Sequence, residues 1–518
     1  MRFTSNTTIK KCLCLFLALC TFAGAAPAFA ADDEITIGMQ SVKTTRLNPL
    51  SAEEREFQSL TALMYEGLFS LDDDYMPVKC LAKSCDIEGS KWLITLKDDI
   101  YFHDGTPVTA YDVAATIDEI LRLANEGLGQ YAQLKYFIAK ASANDSSSLT
   151  LTVSRPYYGT YFALTFPVLP ATQVQADYPL GSGPYRADGF SAGSYLYLTA
   201  NEFWHGDAPY IKRINVFFKN KNRMVIDDYE FNRVDAAITR SSSAGQYRTG
   251  IANLNIPYRT RQLETLLMNY HPRIAFPLDD EKVRQAVRYA IDVDAIAAAV
   301  YSGTVTRTNT PMPADTWMYN TSAYQYEYNP EKAKQLLAEA GWTDLDGEGA
   351  LDKIVDDKTR HLVLRLWTYE EQDSTVREQA AAMIKGMLEE VGFQINLEVR
   401  SFYAVKESLQ ARNFDLCLAA FQMDVVPDPG FLLMSSNTGN YVGYKSSAMD
   451  KLFGQLRTAM NFDDYRRILH QIQDQYGQDV PFISLYYRNG ALLTRKVITN
   501  ERDVREPEIL RGIEALGN

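Results

Sequence analysis

Beyond Phe22 the chain has no run of about 18 consecutive apolar residues, so nothing in its body has the length of a membrane-spanning helix. Cysteine is scarce. Only Cys80, Cys85 and Cys417 lie beyond residue 30, and none forms a Cys-x-x-Cys pair, so there is no dithiol redox motif. The five histidines (His103, His205, His271, His361, His470) are scattered, without an H-E-x-x-H or any paired metal spacing. Neither G-x-x-x-x-G-K-[ST] nor G-x-G-x-x-G occurs, which removes the common nucleotide cradles. Basic residues are also in deficit, 52 Lys+Arg against 65 Asp+Glu, for a formal charge of −13. That balance argues against nucleic acid or an anionic membrane as the main partner.

What is present describes an ordinary globular chain, 46% hydrophobic and 23% charged. At 518 residues it is too long for one core, and two or three domains are expected. The N-terminus reads as an export signal. Lys10 and Lys11 precede the apolar run Cys12–Phe22, and Ala28-Phe29-Ala30 forms a small-x-small cleavage site. Leu17-Ala18-Leu19-Cys20 loosely resembles a lipoprotein box, but Leu19 is bulky for that signal, so cleavage near Ala30 is the expectation and a lipid anchor at Cys20 the lesser one. Removing residues 1–30 takes away three basic residues and no acid, leaving a charge of −16. In an oxidising compartment Cys80 and Cys85 either pair across a small loop or remain two reduced thiols. Cys417, inside the apolar run Phe414–Phe421, reads as a small core residue.

Strand patterns dominate the first half: Ile35 onward, Trp92–Leu96, Ser148–Val153, Tyr185–Phe190, Tyr195–Ala200 and Arg213–Phe218, with helical patterns at Phe57–Phe69 and Ala110–Ala124. After Pro257 amphipathic helices take over. Asp280–Ile291 carries Val283, Ala286, Val287, Ala290 and Ile291 on one face, and Asn329-Pro330 opens another helix that Gly341 closes. From His361 to Pro429 the chain reads strand, helix, strand, helix, strand. Ser374 is a candidate N-cap, Gly392 a stop, and Phe393–Val399 alternates strictly. The last strand, Phe414–Phe421, runs into Gln422-Met423-Asp424-Val425-Val426-Pro427-Asp428-Pro429. Ligands of open α/β sheets bind beyond the carboxyl ends of strands, which makes Asp424 the first site candidate. Phe482–Tyr487 and Leu492–Val497 return as strands. A β-rich first half, a helix-rich second half and a returning C-terminus imply more than one crossover, hence a hinge.

Two motifs fail on their context. Gly189-Phe190-Ser191-Ala192-Gly193 matches the nucleophile elbow, but it lies between two strands, where a hairpin and not a strand-to-helix turn is expected, so an exported hydrolase using Ser191 is the disfavoured reading. Asp344-Leu345-Asp346-Gly347-Glu348-Gly349 begins like a calcium loop but has Val355 at the twelfth position, and reads as an acidic surface turn.

Six landmarks in order resemble the bacterial extracellular solute-binding proteins of the peptide/nickel class, family 5, which serve ABC transporters. They are Tyr65-Glu66-Gly67-Leu68; Phe102-His103-Asp104-Gly105-Thr106-Pro107 with Asp112-Val113; Gly181-Ser182-Gly183-Pro184-Tyr185; Asn201-Glu202-Phe203-Trp204 with Ala208-Pro209-Tyr210; Val283-Arg284-Gln285-Ala286 to Asp292; and Asn329-Pro330-Glu331-Lys332-Ala333. The resemblance implies an α/β, two-lobed, type II clamp with an extra subdomain on the first lobe. Mapped on this chain, 31–71, 158–260 and 486–518 make lobe I, 72–157 the subdomain and 261–485 lobe II, with crossovers near Pro257–Thr265 and Leu485–Asn489. It also implies a non-catalytic, monomeric, exported protein without cofactor that takes short peptides and delivers them to a membrane permease and ATPase. Nickel-chelate or oligosaccharide binding is the alternative within the family. In peptide-binding members an aromatic residue followed three positions later by aspartate holds the ligand's α-amine, and Phe421 and Asp424 fall on that pattern. The family's usual Trp is Phe421 here, and one extra residue separates Asp424 from Asp428-Pro429. By this resemblance Asp424 is either the amine anchor or a loop acid. Gln422–Met423 is the segment expected to pair with the peptide backbone, and Tyr403, Tyr441 and Tyr444 are either pocket walls or packing residues.

Overall fold

The computed structural model describes residues 33–40, 45–52, 54–247, 249–250, 253–271, 276–371, 374–498 and 504–515. The export segment 1–30, with Cys20, lies outside them. In chain order the strands are β1 (Glu34–Gln40), the hairpin β2 (Phe69–Leu71) and β3 (Pro77–Lys79), then β4 (Ala82–Glu88), β5 (Lys91–Leu96), β6 (Ile138–Ala143) and β7 (Ser148–Val153). There follow β8 (Tyr185–Ser191), β9 (Tyr195–Ala200), β10 (Arg213–Lys219), β11 (Ala236–Thr239), β12 (Leu254–Met268) and β13 (Val305–Arg307). The hairpin β14 (Asp352–Val355) and β15 (Lys358–His361) precedes β16 (Val363–Tyr369), β17 (Gln394–Arg400), β18 (Leu416–Gln422) and β19 (Phe482–Thr494).

One sheet runs through the molecule in the order β17-β16-β18-β12-β19-β11-β1-β10-β9-β8, with β13 on β19. Its two longest strands join the halves. Leu254–Arg259 of β12 pairs with Asn489–Thr494, beside β11; Leu263–Leu267 pairs with Phe482–Tyr487, beside β18. The register shifts between Arg259 and Leu263, so the ladder is interrupted where the chain passes from one half to the other. The result is a two-lobed α/β clamp. A separate antiparallel sheet, β4-β5-β7-β6, packs with the helix Ala110–Asn125, whose start is closed by a Thr109/Asp112 capping box.

The second lobe shows why the helical periods were readable. Val283, Ala286, Val287 and Ala290 are fully buried, as are Ala380, Ile384 and Leu388 of the helix Val376–Glu390, against Leu364, Leu366, Leu416 and Leu418 of the sheet. Asp280 caps its helix by accepting from the Lys282 N–H at 2.8 Å, and Asn329 does the same for Lys332 at 2.9 Å. Gly341 and Gly392 take φ of +85° and +105°, the left-handed turn that ends a helix at little cost only in glycine.

Two expectations shift, and one open alternative resolves. Thr375, not Ser374, is the N-cap of Val376–Glu390; the Ser374 hydroxyl accepts from the Val376 N–H at 3.4 Å. His361 belongs to the β14–β15 hairpin, held at 2.6 Å to Asp352, and the following strand begins at Val363. Cys80 and Cys85 do not pair. The Cys80 thiol faces Glu66 at 3.7 Å, whereas Cys85 lies on β4 against Tyr161, where burial pushes its pKa up to about 11. Ser191 ends β8 in the β8–β9 hairpin, accepting from the Ser194 N–H at 3.0 Å, so the sharp elbow a nucleophile needs is not there.

Candidate ligand-binding site

β18 is internal because its first four residues, Leu416 to Ala419, are buried apolar side chains that fit only between two sheet neighbours. Thr368 of β16 donates to the Leu418 carbonyl at 3.2 Å, and β12 runs antiparallel on the other side. The strand ends at Gln422, and the Met423 N–H still reaches the Arg261 carbonyl at 2.8 Å. Asp424 therefore emerges at the carboxyl end of a pinned strand, beside the crossover of β12.

Asp424 is half-buried, and its carboxylate accepts from the Val426 N–H at 3.2 Å. It makes no ion pair among the described residues. Desolvation raises its pKa above the ordinary carboxylate value; the Arg261 guanidinium and the Val425 and Val426 N–H groups pull it back, and Asp428 adds to the rise. Asp428 itself is committed. It holds Arg457 in a fork at 2.7 and 3.1 Å and accepts from the Gly430 N–H at 2.9 Å, which fixes the turn into the helix Gly430–Leu433. The two acids of this loop thus divide. Asp428 shapes the loop, and Asp424 is left facing the cleft.

That cleft encloses about 1140 Å³, and its walls come from both lobes. Gln422, Met423, Asp424 and Tyr441 stand on one side; Glu66, Tyr75, Tyr131 and Tyr157 stand on the other, with Arg259, Arg261 and Tyr487 from the crossover strands. A concavity between lobes, with a few polar groups among aromatic walls, is the candidate ligand site. Ser191 is not among its walls.

Comparison with known proteins identifies the family. Residues 77–443 match the family model of the bacterial extracellular solute-binding proteins, family 5 middle region. The chain belongs to this family. The oligopeptide-binding protein AppA of Bacillus subtilis is 25% identical over 477 residues, covering 86% of this chain and 84% of AppA. The glutathione-binding protein GsiB of Pectobacterium atrosepticum is 28% identical over 346 residues, covering 61% of this chain and 63% of GsiB. Among solved structures, NikZ from Campylobacter jejuni in complex with Ni(L-His) superposes with a TM-score of 0.69 at 22% identity, over 90% of this chain and 94% of NikZ. The fold is accordingly a type II periplasmic-binding-protein clamp. This family-5 protein is an extracellular or periplasmic substrate-binding component of an ABC importer and not an enzyme.

Within this solute-binding protein the sequence-derived residues separate. Gln422, Met423, Asp424 and Tyr441 line the cleft. Phe421 stands behind it, stacked on Tyr441 at 6.2 Å and 16° and edge-on to Phe431. Tyr444 is core: it is buried, T-shaped on Tyr270, and donates its hydroxyl to Asp479. Tyr403 is 77% exposed on the helix Phe402–Gln410, away from the cleft. Gln422–Met423 is not a free edge on its β12 side, because Gln422 is in register with Gln262 and the Met423 N–H is spent on Arg261; the ladder with β16 ends at Cys417. Several wall residues had no local signal. Glu66 belongs to one landmark and joins it to a second through Ser182 at 3.0 Å, and it also holds His205 at 2.9 Å and faces Cys80.

Proposed function

We propose that this solute-binding protein takes short peptides with a free α-amine, anchored by Asp424 between the closed lobes, and hands them to a permease and ATPase. The observation that carries the reading is the state of Asp424: a carboxylate walled into the inter-lobe cleft, desolvated, and without an ion pair among the described residues. Such a group gains most from an ammonium that shares its burial. AppA and GsiB, named for oligopeptide and glutathione binding, support the class of ligand. In this reading residues 31–71, 158–260 and 486–518 close against 261–485, with 72–157 as the added subdomain, and one chain completes the site as a monomer. A metal chelate such as NikZ holds is the second reading. No histidine lines the cleft among the described residues, so a chelate would be held through its organic part.

Calorimetry on the purified protein with free-amine and N-acetylated di- to tetra-peptides tests the assignment. Asp424→Asn is expected to weaken free-amine peptides by at least thirtyfold, the lower end of the roughly 2–5 kcal/mol for removing one partner of a desolvated pair. Full affinity in that variant overturns the anchor, and tight binding of a nickel–amino-acid chelate with no response to peptides overturns the class.

A further inference from the structure

The cleft holds a second charged feature that the amine anchor does not use. Arg259 and Arg261, two residues apart on β12, both line it at the register shift. Neither makes an ion pair among the described residues. The Arg259 Nη1 and Arg261 Nε atoms are buried and have no hydrogen-bond partner. The polar side-chain contact of Arg261 is to the neutral Gln58 amide oxygen at 3.4 Å, and the Arg259 guanidinium lies over the Tyr75 ring at 5.3 Å. Arg457 and Arg511 of the same cleft are matched: Arg457 to Asp428, and Arg511 to Asp73 and Glu508. Arg505, 4% exposed, shares the Tyr75 face at 4.4 Å, gives Nη2 to the Leu71 carbonyl at 2.8 Å and pairs with Glu508 at 3.4 Å. Glu506 is buried beside them, with its Oε2 accepting from the Arg261 backbone N–H at 3.3 Å.

Guanidinium groups stay charged in proteins, and burying their N–H groups without acceptors is costly. A planar fork of this kind fits a carboxylate, which accepts two parallel bonds. The position adds the second half of the argument. The Met423 N–H to Arg261 carbonyl bond places the two features on neighbouring strands, and Arg261 acts through space on Asp424.

We infer that Arg259 and Arg261 form a carboxylate subsite across from Asp424, so the ligand is a short peptide bearing a free α-amine and a carboxylate a few bonds away. This rests on the peptide reading but is separable from it. The subsite selects short, doubly charged peptides over long ones whose C-terminus lies far from the amine.

The test is calorimetry with trialanine, trialanine amide and N-acetyl-trialanine on the wild-type, R259Q/R261Q and D424N proteins, with R259K/R261K as a charge-retaining control and melting temperatures as a check on folding. Amidation is expected to weaken wild-type binding at least tenfold and to have little effect in R259Q/R261Q. The lysine variant should fall between. Equal binding of the acid and the amide by wild-type protein overturns the subsite, and this arm needs no substitution. So does an equal loss of both ligands in R259Q/R261Q, which marks a structural role. N-acetyl-trialanine that binds, is indifferent to D424N and is lost in R259Q/R261Q leaves the subsite standing while the amine anchor fails. Binding of none of the three overturns both.

Discussion

At the scale of single residues, the loop 422–441 shows how burial assigns roles to identical side chains. Asp424 and Asp428 are four positions apart, yet Arg457 neutralises one and desolvation burdens the other. The consequence for stability has a definite sign. A carboxylate whose folded pKa is raised binds more protons in the native than in the unfolded state between the two pKa values, so stability falls as pH rises through that window. The penalty is absent below the ordinary value near 3.8 and complete above the raised one. Asp424→Asn should therefore raise the melting temperature of the ligand-free protein at pH 7 and give no advantage at pH 3. Peptide binding should strengthen with pH over the same interval, because the ammonium requires the ionised acid. Melting curves across pH for both proteins check this; a variant less stable than wild type at pH 7 contradicts it.

At the scale of elements, local periodicity was legible and long-range register was not. Phe393–Val399 alternates and is β17 within one residue; the 3.6-residue spacing of Val376 to Leu388 is the helix. Asp424 was found because a strand end is itself a local signal. Arg261 was not, because its meaning depends on pairing with β18 some 160 residues away. Tyr441 and Tyr444 lie three apart in a segment without regular period, and nothing local tells wall from core. The same blindness hid the ion network at the crossover. Glu264 of β12, fully buried, pairs with Arg377 at 2.7 Å and Arg488 of β19 at 2.6 Å, and Glu371 pairs with both arginines at 3.1 and 2.9 Å. Burial pushes the Glu264 carboxyl up, but the two guanidiniums outweigh it and hold it below its usual range. Removing one partner leaves a buried charge uncompensated, a loss of about 3 kcal/mol. Glu264→Gln should lower the denaturant midpoint accordingly. An unchanged midpoint would mean that Glu371 alone satisfies both arginines.

At the scale of the whole molecule, ligand capture depends on how the two lobes meet as much as on the cleft between them. Contact away from the cleft is aromatic. Trp317 donates its indole N–H to the Tyr75 carbonyl at 3.4 Å and packs edge-on against Phe462 at 4.9 Å, while Tyr158 lies against Phe462 and Tyr465 at 5.7 Å and donates its backbone N–H to the Ala459 carbonyl at 2.8 Å. Trp317 is not among the residues lining the large cleft. Its contribution to affinity runs through the closed population alone: apparent affinity scales with the fraction of molecules already in the binding-competent form. Trp317→Ala deletes the hydrogen bond to Tyr75 and the edge-on and tilted ring contacts, and should shift the free protein toward an open form. Small-angle scattering is expected to show a larger radius of gyration without peptide, converging on the wild-type value at saturation. Affinity should fall several-fold, with the rate of dissociation less affected than after Asp424→Asn, because the ligand's own contacts are intact. Identical scattering curves, together with unchanged affinity, would show that the aromatic contact follows closure and does not favour it.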